Sequence, residues 1–409
     1  MRPMFRQLVY RAVAAFSVLV CAWTCSEAQR LLWLDPLPGS YFNAARDVSA
    51  DGLVVVGDAL ISWSEVRPVQ WQDGAASDLG TLGGEFGVAW GVSEDGSIVA
   101  GMSTETFPFS YLRATCWQSG VIQDLGTLGG LRSAAYALSA DGSVVVGWAE
   151  APNERLRAFR WVQGQGLQDL GTLGGIDGYA TAVSPDGSIV VGSAQNANFR
   201  RRAFRWRNGV MQDLGTLPGY NESEASGVSA DGSVVVGVAR NDNGQRRAFR
   251  WRDGVIRDLG TLGGRESSAT GVSADGRVVV GWAQDASGRD RASRWIEGRG
   301  IEDLNQTYAS FLDDGSLLQS ATALSPDGRY IVGYGYNAAT ECACAFFLDT
   351  WRAGDTNGDD CINDTDLLKV LFAFGTAGTG YTRHEDIDKN GVVDDADLLT
   401  VLFNFGGGC

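Results

Sequence analysis

The stretch "SADGSVVVG" stands at Ser139–Gly147 and is repeated without a change at Ser229–Gly237. Near-copies occur at five more places, namely Ser49–Gly57, Ser93–Gly101, Ser184–Gly192, Ser273–Gly281 and Ser325–Gly333. The aspartates of these seven copies follow one another at intervals of 44 to 52 residues. Self-similarity at a period of this size indicates a repeat architecture, in which each copy is one supersecondary unit.

Each repeat predicts four short strands joined by tight turns. In residues 177–217 the segments "YATAV", "SIVVGSA", "RRAFRW" and "VMQDLGTL" have strand character. The dipeptides Asp186-Gly187 and Asn208-Gly209 mark hairpins, because glycine takes positive φ freely and Asp or Asn bonds to its own backbone. Four antiparallel strands repeated seven times predict a mostly β chain that folds as a seven-bladed β-propeller. A solenoid is the alternative architecture.

An alanine in the first strand of each repeat favours the propeller over the solenoid. It lies six residues before the turn aspartate in all seven repeats, at Ala45, Ala89, Ala135, Ala180, Ala225, Ala269 and Ala321. Small side chains are required where innermost strands converge on an axis. The last repeat has no outer strand after "CACAFFLDT", whereas the segment "LLWLDPLPG" at Leu31–Gly39 matches the outer strands of other repeats. We therefore expect this N-terminal strand to close the ring.

Composition and the N-terminus limit the partners and the location. The chain has 409 residues and a net charge of -16, so nucleic acid and anionic membranes are not expected partners. Residues 1–28 read as a signal peptide, with three arginines, an apolar run too short to span a bilayer, and the cleavage site Ser26-Glu27-Ala28. We expect a secreted protein without a membrane span, with a propeller at residues 29–350 and a further domain at 351–409.

Two acidic loops of twelve residues, Asp355–Asp366 and Asp386–Asp397, each end at the start of an apolar helix. Oxygen ligands at loop positions 1, 3, 5, 9 and 12, with a backbone carbonyl at position 7, suit Ca²⁺. The loops therefore predict two calcium ions. The expected ligands are Asp355, Asn357, Asp359, the Cys361 carbonyl, Asn363 and Asp366 in the first loop, and Asp386, Asp388, Asn390, the Val392 carbonyl, Asp394 and Asp397 in the second.

Five cysteines follow the signal peptide, so at least one stays unpaired. Export permits disulfides. If an approximate twofold axis relates the two loops, the first loop comes near the end of the chain. We therefore predict a disulfide between Cys361, at position 7 of the first loop, and Cys409, the last residue.

Both parts of the sequence resemble known families. The pairing of "GVSADGSVVVG" with "RAFRW" and "DLGTLGG" resembles the HAF-type probable extracellular repeat, and the Ser-Pro-Asp-Gly turns resemble those of WD40-like propeller repeats. This resemblance implies an extracellular protein and no defined activity. The paired loops resemble a type I dockerin domain over about Gly354–Gly408. That resemblance implies an EF-hand-like module that docks onto a cohesin-type partner, often in assemblies that degrade polysaccharide. The positions that read the partner in dockerins are here Asp364, Thr365, Asp395 and Ala396.

The repeats differ most at the position after the shared alanine. Four repeats carry a small hydroxyl there, at Thr181, Ser226, Thr270 and Thr322. The first three carry Arg46, Trp90 and Tyr136. These large side chains either fill the channel or form a ligand site, for example for carbohydrate.

Enzymatic chemistry finds little support in the sequence. His384 is the only histidine and lies between the acidic loops, which excludes a Ser-His-Asp arrangement in the propeller. Paired carboxylates for glycoside hydrolysis stay open, because the fold sets their spacing. The favoured function is a secreted, non-catalytic binding or display propeller with a calcium-dependent docking module. The alternative is a carbohydrate-active propeller enzyme, a glycoside hydrolase or polysaccharide lyase in polysaccharide catabolism, tethered through that module.

Overall fold

The structure, a computed structural model, describes residues 29–106, 111–358, 361–376, 384–387 and 392–409. The expected signal peptide, residues 1–28, lies outside them. The chain divides into a β unit, Leu31–Asp349, and a C-terminal unit that contains Thr350–Cys409. Among the described residues, no helix combines the length and the apolar character needed to cross a membrane.

The β unit consists almost entirely of short strands. They are β1 (Arg30–Trp33), β2 (Phe42–Val48), β3 (Val54–Leu60), β4 (Val66–Gln72), β5 (Ala75–Asp78), β6 (Gly83–Val92), β7 (Ile98–Glu105), β8 (Leu112–Gln118), β9 (Val121–Asp124), β10 (Ser133–Leu138), β11 (Val144–Glu150), β12 (Leu156–Val162), β13 (Gly166–Asp169), β14 (Gly174–Val183), β15 (Ile189–Asn196), β16 (Arg201–Arg207), β17 (Val210–Asp213), β18 (Glu222–Val228), β19 (Val234–Arg240), β20 (Arg246–Arg252), β21 (Val255–Asp258), β22 (Gly263–Val272), β23 (Val278–Asp285), β24 (Asp290–Ile296), β25 (Gly300–Asp303), β26 (Leu317–Leu324), β27 (Tyr330–Asn337) and β28 (Cys342–Asp349). A one-turn helix α1 (Leu304–Thr307) and a 3-10 turn (Ala309–Phe311) follow β25.

The strands pair within repeats. Four sheets have four antiparallel strands each, running in chain order from β10 to β13, from β14 to β17, from β18 to β21 and from β22 to β25. A twelve-stranded sheet holds the remaining strands, and β28 pairs in it with both β1 and β2. Single parallel residue pairs, Phe42 with Ala343 and Val66 with Phe86, join its antiparallel groups. The predicted mostly β character and the four-stranded repeat are thus confirmed.

The repeated nine residues form a hydrogen-bonded turn and the strand after it. Ser139 Oγ donates to Asp141 Oδ1 at 2.7 Å and accepts the Val144 N–H at 3.0 Å. The Ser139 hydroxyl is the main reason that the pKa of Asp141 lies below its ordinary value. Gly142 has a φ of +69°, a backbone conformation that residues with a side chain rarely adopt. The Ser-to-Asp bond recurs in all seven repeats, so the turn explains why Ser, Asp and Gly return each time.

The shared alanine and the glycine that ends the nine residues belong to one β-bulge. Ala135 pairs with Gly147, and the register shifts between Ala135 and Ala137. A Cβ on Gly147 would lie 2.0 Å from the Ala134 carbonyl oxygen, so only glycine fits. The seven alanines are at most 3 % exposed. Sequence reasoning recognised the small alanine but not the bulge that makes the glycine necessary.

The aromatic residues of "RAFRW" pack between neighbouring sheets. Phe159, Phe204 and Phe249 are fully buried, and Phe249 lies in one apolar cluster with Leu214 of the preceding repeat. This burial gives the phenylalanines of the strand a packing role.

The C-terminal unit is an internal duplication of loop and helix. Helices α2 (Asp364–Ala373) and α3 (Asp395–Asn404) each begin with a capping box. Ile362 exchanges backbone hydrogen bonds with the segment at Gly406 and Gly407, and Val393 does the same with Gly375 and Thr376. These residues correspond to each other under a shift of 31 positions, so the two halves bind each other reciprocally. The structure therefore has the approximate twofold relation from which the disulfide was predicted.

Candidate functional site

The first strands of successive repeats are joined by side-chain hydroxyls at the position after the shared alanine. Each hydroxyl donates to the alanine carbonyl of the next repeat. The bonds are Thr181 to Ala225 at 2.7 Å, Ser226 to Ala269 at 2.8 Å, Thr270 to Ala321 at 2.9 Å and Thr322 to Ala45 at 2.7 Å. These four hydroxyls therefore have a structural role. The last bond joins the seventh repeat to the first, across 277 positions of sequence.

The three large side chains at the same position contact one another, and we call Arg46, Trp90 and Tyr136 the axial row. The Arg46 guanidinium carbon lies 4.7 Å from the Trp90 ring centroid. The Trp90 and Tyr136 rings meet edge to face, with centroids 5.5 Å apart. Arg46 Nε is held by the buried Asp58 at 2.6 Å. The structure thus brings the three predicted residues together in one partly exposed row.

Two aromatic residues that the sequence analysis missed continue the axial row. Trp148 Nε1 donates to Tyr136 Oη at 3.1 Å, and the Trp148 and Tyr179 ring centroids are 6.4 Å apart. Burial raises the pKa of the Tyr136 and Tyr179 hydroxyls. Trp148 directly follows the last glycine of the repeated stretch, and Tyr179 directly precedes the shared alanine. A comparison of these two further positions across the repeats would have found both.

The axial row is not arranged for stability alone. Among the described residues, Trp90 Nε1 is buried and has no hydrogen-bond partner, which is an energetic cost. Asp47 follows Arg46, at a position where the other repeats have glycine or alanine, and its Oδ2 accepts the Val92 N–H at 3.0 Å. Burial raises the pKa of Asp47 to about 7. The first repeat therefore has an acidic group that titrates near neutral pH beside the row.

The acidic loops of the C-terminal unit place buried carboxylates in matching positions. Asp366 accepts the backbone N–H groups of Thr356 at 2.8 Å and Asn363 at 2.9 Å. Asp397 accepts those of Ile387 at 2.6 Å and Asp394 at 2.9 Å, which are the corresponding residues. The predicted ligands at the first and last loop positions are all buried. Their exposed fractions are 5 % for Asp355, 0 % for Asp366, 8 % for Asp386 and 0 % for Asp397.

All predicted ligands of the two loops are oxygen atoms, the donor type that a hard cation prefers. Asp359, Asp388 and Asn390 lie outside the described residues. Within the described ranges, no group of three or more His, Cys, Asp or Glu side chains is placed to hold a metal ion. Asn357 and the Val392 and Cys361 carbonyls supply neutral oxygens, and the Cys361 carbonyl also accepts Asn363 Nδ2 at 3.3 Å. Calcium binding by these loops therefore stays a prediction.

The four residues predicted to read a partner lie in the first turns of α2 and α3. Asp364, Thr365 and Asp395 are exposed, and Ala396 is half-buried. The Thr365 and Ala396 N–H groups are engaged by the N-cap side chains, at 2.7 Å and 2.8 Å. Capping therefore fixes the first turn of each helix. The side chains of the three exposed residues lie on the surface of that turn.

The cysteines form two bridges within the described residues. One joins Cys361 to Cys409, with Cα atoms 4.7 Å apart, as the reasoning from the duplication expected. The other joins Cys342 to Cys344 on β28, a pairing that the sequence analysis did not make. Cys116 is free and buried, and burial raises the pKa of its thiol to about 12. A thiol with so high a pKa is an unreactive one.

No protein-family model and no curated protein matches the sequence. Among solved structures, the β-propeller domain of the Trilobed protease from Pyrococcus furiosus is similar, with a TM-score of 0.53 at 11% identity; the match covers 76% of this chain and 95% of that one. TolB from Acinetobacter baumannii gives a TM-score of 0.45 at 13% identity, over 74% of this chain and 65% of that one, slightly less than two thirds. At such identities the likeness shows the fold alone. The β unit is a β-propeller.

Proposed function

We propose that this protein is a secreted, non-catalytic binding or display propeller whose C-terminal unit is a calcium-dependent, dockerin-like docking module. The observation that carries the proposal is the duplicated loop, in which Asp355 and Asp366 are buried in one half and Asp386 and Asp397 in the other. Burying carboxylates is costly without a compensating positive charge. Two Ca²⁺ ions would supply that charge. No observation on the described residues favours the carbohydrate-active enzyme as an alternative.

The propeller has, in this proposal, seven blades closed by β1. Two contacts support the closure. The Leu34 N–H donates to the Ala345 carbonyl at 2.9 Å, as the Leu214 N–H donates to the Ala203 carbonyl in a middle repeat. Trp71 Nε1 donates to the Asp35 carbonyl at 2.7 Å, as the next repeat's equivalent tryptophan does to the Gly80 carbonyl at 3.1 Å. The N-terminal segment therefore makes the contacts of an outer strand, which supports its place in the last blade.

The docking role is supported by a duplicated apolar surface on the helices. Phe372 is 85% exposed and Phe403, its counterpart under the 31-residue shift, is 73% exposed. Leu371 and Leu402, one position earlier, are also exposed. Exposed aromatic side chains in matching positions suit a protein partner, since such residues supply most of the energy of an interface. The proposed partner is a cohesin-type domain.

Calcium titration of the full chain after EDTA treatment tests the module. Calorimetry should give two sites, and Asp366→Asn or Asp397→Asn should each remove one. Asp364→Asn, which changes an exposed carboxylate in the same helix turn, is the matched control and should keep both. Fewer than two sites in the unaltered chain, or two sites in all three variants, would contradict the calcium assignment.

A panel of immobilised cohesin domains tests the docking. The chain should bind at least one of them in Ca²⁺ and release it in EDTA, and Phe372→Ser with Phe403→Ser should weaken that binding without changing the calcium stoichiometry. Binding that survives EDTA, or no binding to any cohesin, would contradict the docking role. Secretion is tested separately, because protein recovered from the medium should begin at Gln29.

A further inference from the structure

A cavity of about 390 Å³ lies in the β unit, and no residue of the axial row lines it. The fifth, sixth and seventh repeats line it, with Arg246 from β20, Trp282 from β23, Arg289 and Asp290 at the start of β24, Leu317, Gln319 and Ser320 from β26, and Tyr334 from β27. Its volume lies at the low end of the range for small-molecule sites, roughly 300–1,000 Å³. A small ligand therefore fits it, and a long polymer segment does not.

Polar groups that the protein leaves unused face this cavity. Among the described residues, no hydrogen bond engages the Trp282 N–H, the Tyr334 hydroxyl, the Gln319 amide or the Asp290 carboxylate. Trp282, Tyr334 and Gln319 are half-buried and Asp290 is exposed. The site thus combines two aromatic rings with hydrogen-bond donors and hydrogen-bond acceptors. Because no protein group occupies these donors and acceptors, all of them are available to a ligand that enters the cavity.

The charges around the cavity favour a neutral ligand. Arg246 forms an ion pair with Glu266 at 2.9 Å, and its guanidinium carbon lies 4.5 Å from the Trp282 ring centroid. Arg289 lies 3.6 Å from an Asp285 carboxylate oxygen. Asp285 also pairs with Arg291 at 3.0 Å. With Asp290, three carboxylates balance three guanidinium groups, so no net charge is left over to attract an ionic ligand.

We infer that this cavity binds a small neutral saccharide. A sugar ring presents an apolar face of C–H groups, which suits the Trp282 and Tyr334 rings, and a rim of hydroxyls that both donate and accept hydrogen bonds, which suits Gln319 and Asp290. The inference rests on the proposed binding function, but it gives the propeller a ligand class and a site separate from the axial row.

Binding of cellotriose, xylotriose and mannotriose to the full chain, with trigalacturonate as the anionic counterpart, tests the inference by calorimetry. At least one neutral trisaccharide should bind. Trp282→Ala and Gln319→Ala should each weaken it by about tenfold or more. Trp63→Ala is the matched control, because it makes the same change at a tryptophan that is 96% exposed and does not line the cavity, and it should leave the affinity within about twofold.

Four outcomes would overturn the inference. They are the absence of neutral-saccharide binding, binding of trigalacturonate alone, affinity that is unchanged in both Trp282→Ala and Gln319→Ala, and affinity that falls equally in the Trp63→Ala control. Near-ultraviolet circular dichroism separates a misfolded variant from a lost contact, and Gln319→Ala removes no core side chain. Calcium-dependent docking is measured independently, so a failure here and a failure of the proposed module are distinguishable.

Discussion

Replacing Leu34 by alanine tests the proposed closure of the ring. Leu34 is 3 % exposed and lies in one apolar cluster with Val69 and Trp71 near the N-terminus and Phe347 in the last strand. A buried Leu→Ala replacement costs about 2–5 kcal/mol, for the lost burial and for the cavity left behind. Because strands from both ends of the β unit surround Leu34, the cavity has little freedom to collapse. We expect a loss of about 3 kcal/mol.

This loss should be visible in the melting temperature. A unit of about 320 residues has an unfolding entropy of roughly 0.7 kcal/mol/K, so a loss of about 3 kcal/mol lowers the melting temperature by about 4 °C. Scanning calorimetry of the full chain at constant calcium measures it. Leu32→Ala is the matched control two residues earlier, in β1, because Leu32 is 36 % exposed, and it should shift melting by less than about 1 °C.

Equal melting temperatures for Leu34→Ala and Leu32→Ala would refute the reasoning, because the buried side chain of a segment that closes the propeller must contribute to its stability. Deletion of Leu31–Gly39 extends the test. It exposes the edge of β28, and size-exclusion chromatography should then detect self-association, because an unpaired strand edge is a template for pairing. A deletion variant that stays monomeric and melts like the unaltered chain would count equally against the closure.

Three further predictions follow from single contacts. Thr322→Val removes the hydroxyl that bonds to the Ala45 carbonyl and should cost about 1–3 kcal/mol in urea unfolding, whereas Thr322→Ser should cost less. Cys409→Ser opens a bridge spanning 48 positions and should destabilise the C-terminal unit by up to about 4 kcal/mol in calorimetry, while non-reducing peptide maps of the unaltered chain should link Cys361 to Cys409. Asp47 has a pKa raised by burial from 3.8 to about 7, so its protonated form stabilises the folded state fully below about pH 4, and this contribution is lost as the pH rises to about 7. Asp47→Asn should flatten this fall in the melting temperature between about pH 4 and 7.

The repeat could be predicted from sequence because its causes are local. Ser139, Asp141 and Gly142 form a turn whose hydrogen bonds join residues at most five positions apart. The residue types that make these bonds can therefore be recognised in the sequence. The duplication of the acidic loops is visible for the same reason, and with it the relation between Cys361 and Cys409. Each inference needs only neighbours in sequence, or two copies of one segment that pack on each other.

Contacts between distant repeats could not be predicted in the same way. The hydroxyl of Thr322 and the carbonyl of Ala45 are 277 positions apart, and only the fold brings them together. The clash that a side chain at Gly147 would make with the Ala134 carbonyl depends on a bulge that no pattern of apolar residues encodes. Trp282 and Tyr334 were missed because their cavity is lined by three repeats, so no single repeat carries its signature.

The residues at the position after the shared alanine divide the repeats of this β-propeller into two groups. A ring built for stability alone would use a hydroxyl in every repeat, because Thr181, Ser226, Thr270 and Thr322 each gain a bond to the next strand. The first three repeats give up that bond, and the same region holds the unpartnered Trp90 N–H and the half-buried Asp47 with its raised pKa. Local rules that fail together in one place mark function more often than chance. The cavity at Trp282 is lined by repeats that keep the hydroxyl, so a ligand can bind there while the bonds between their first strands stay intact. A ligand at the axial row would instead bind beside the three repeats in which these bonds are absent.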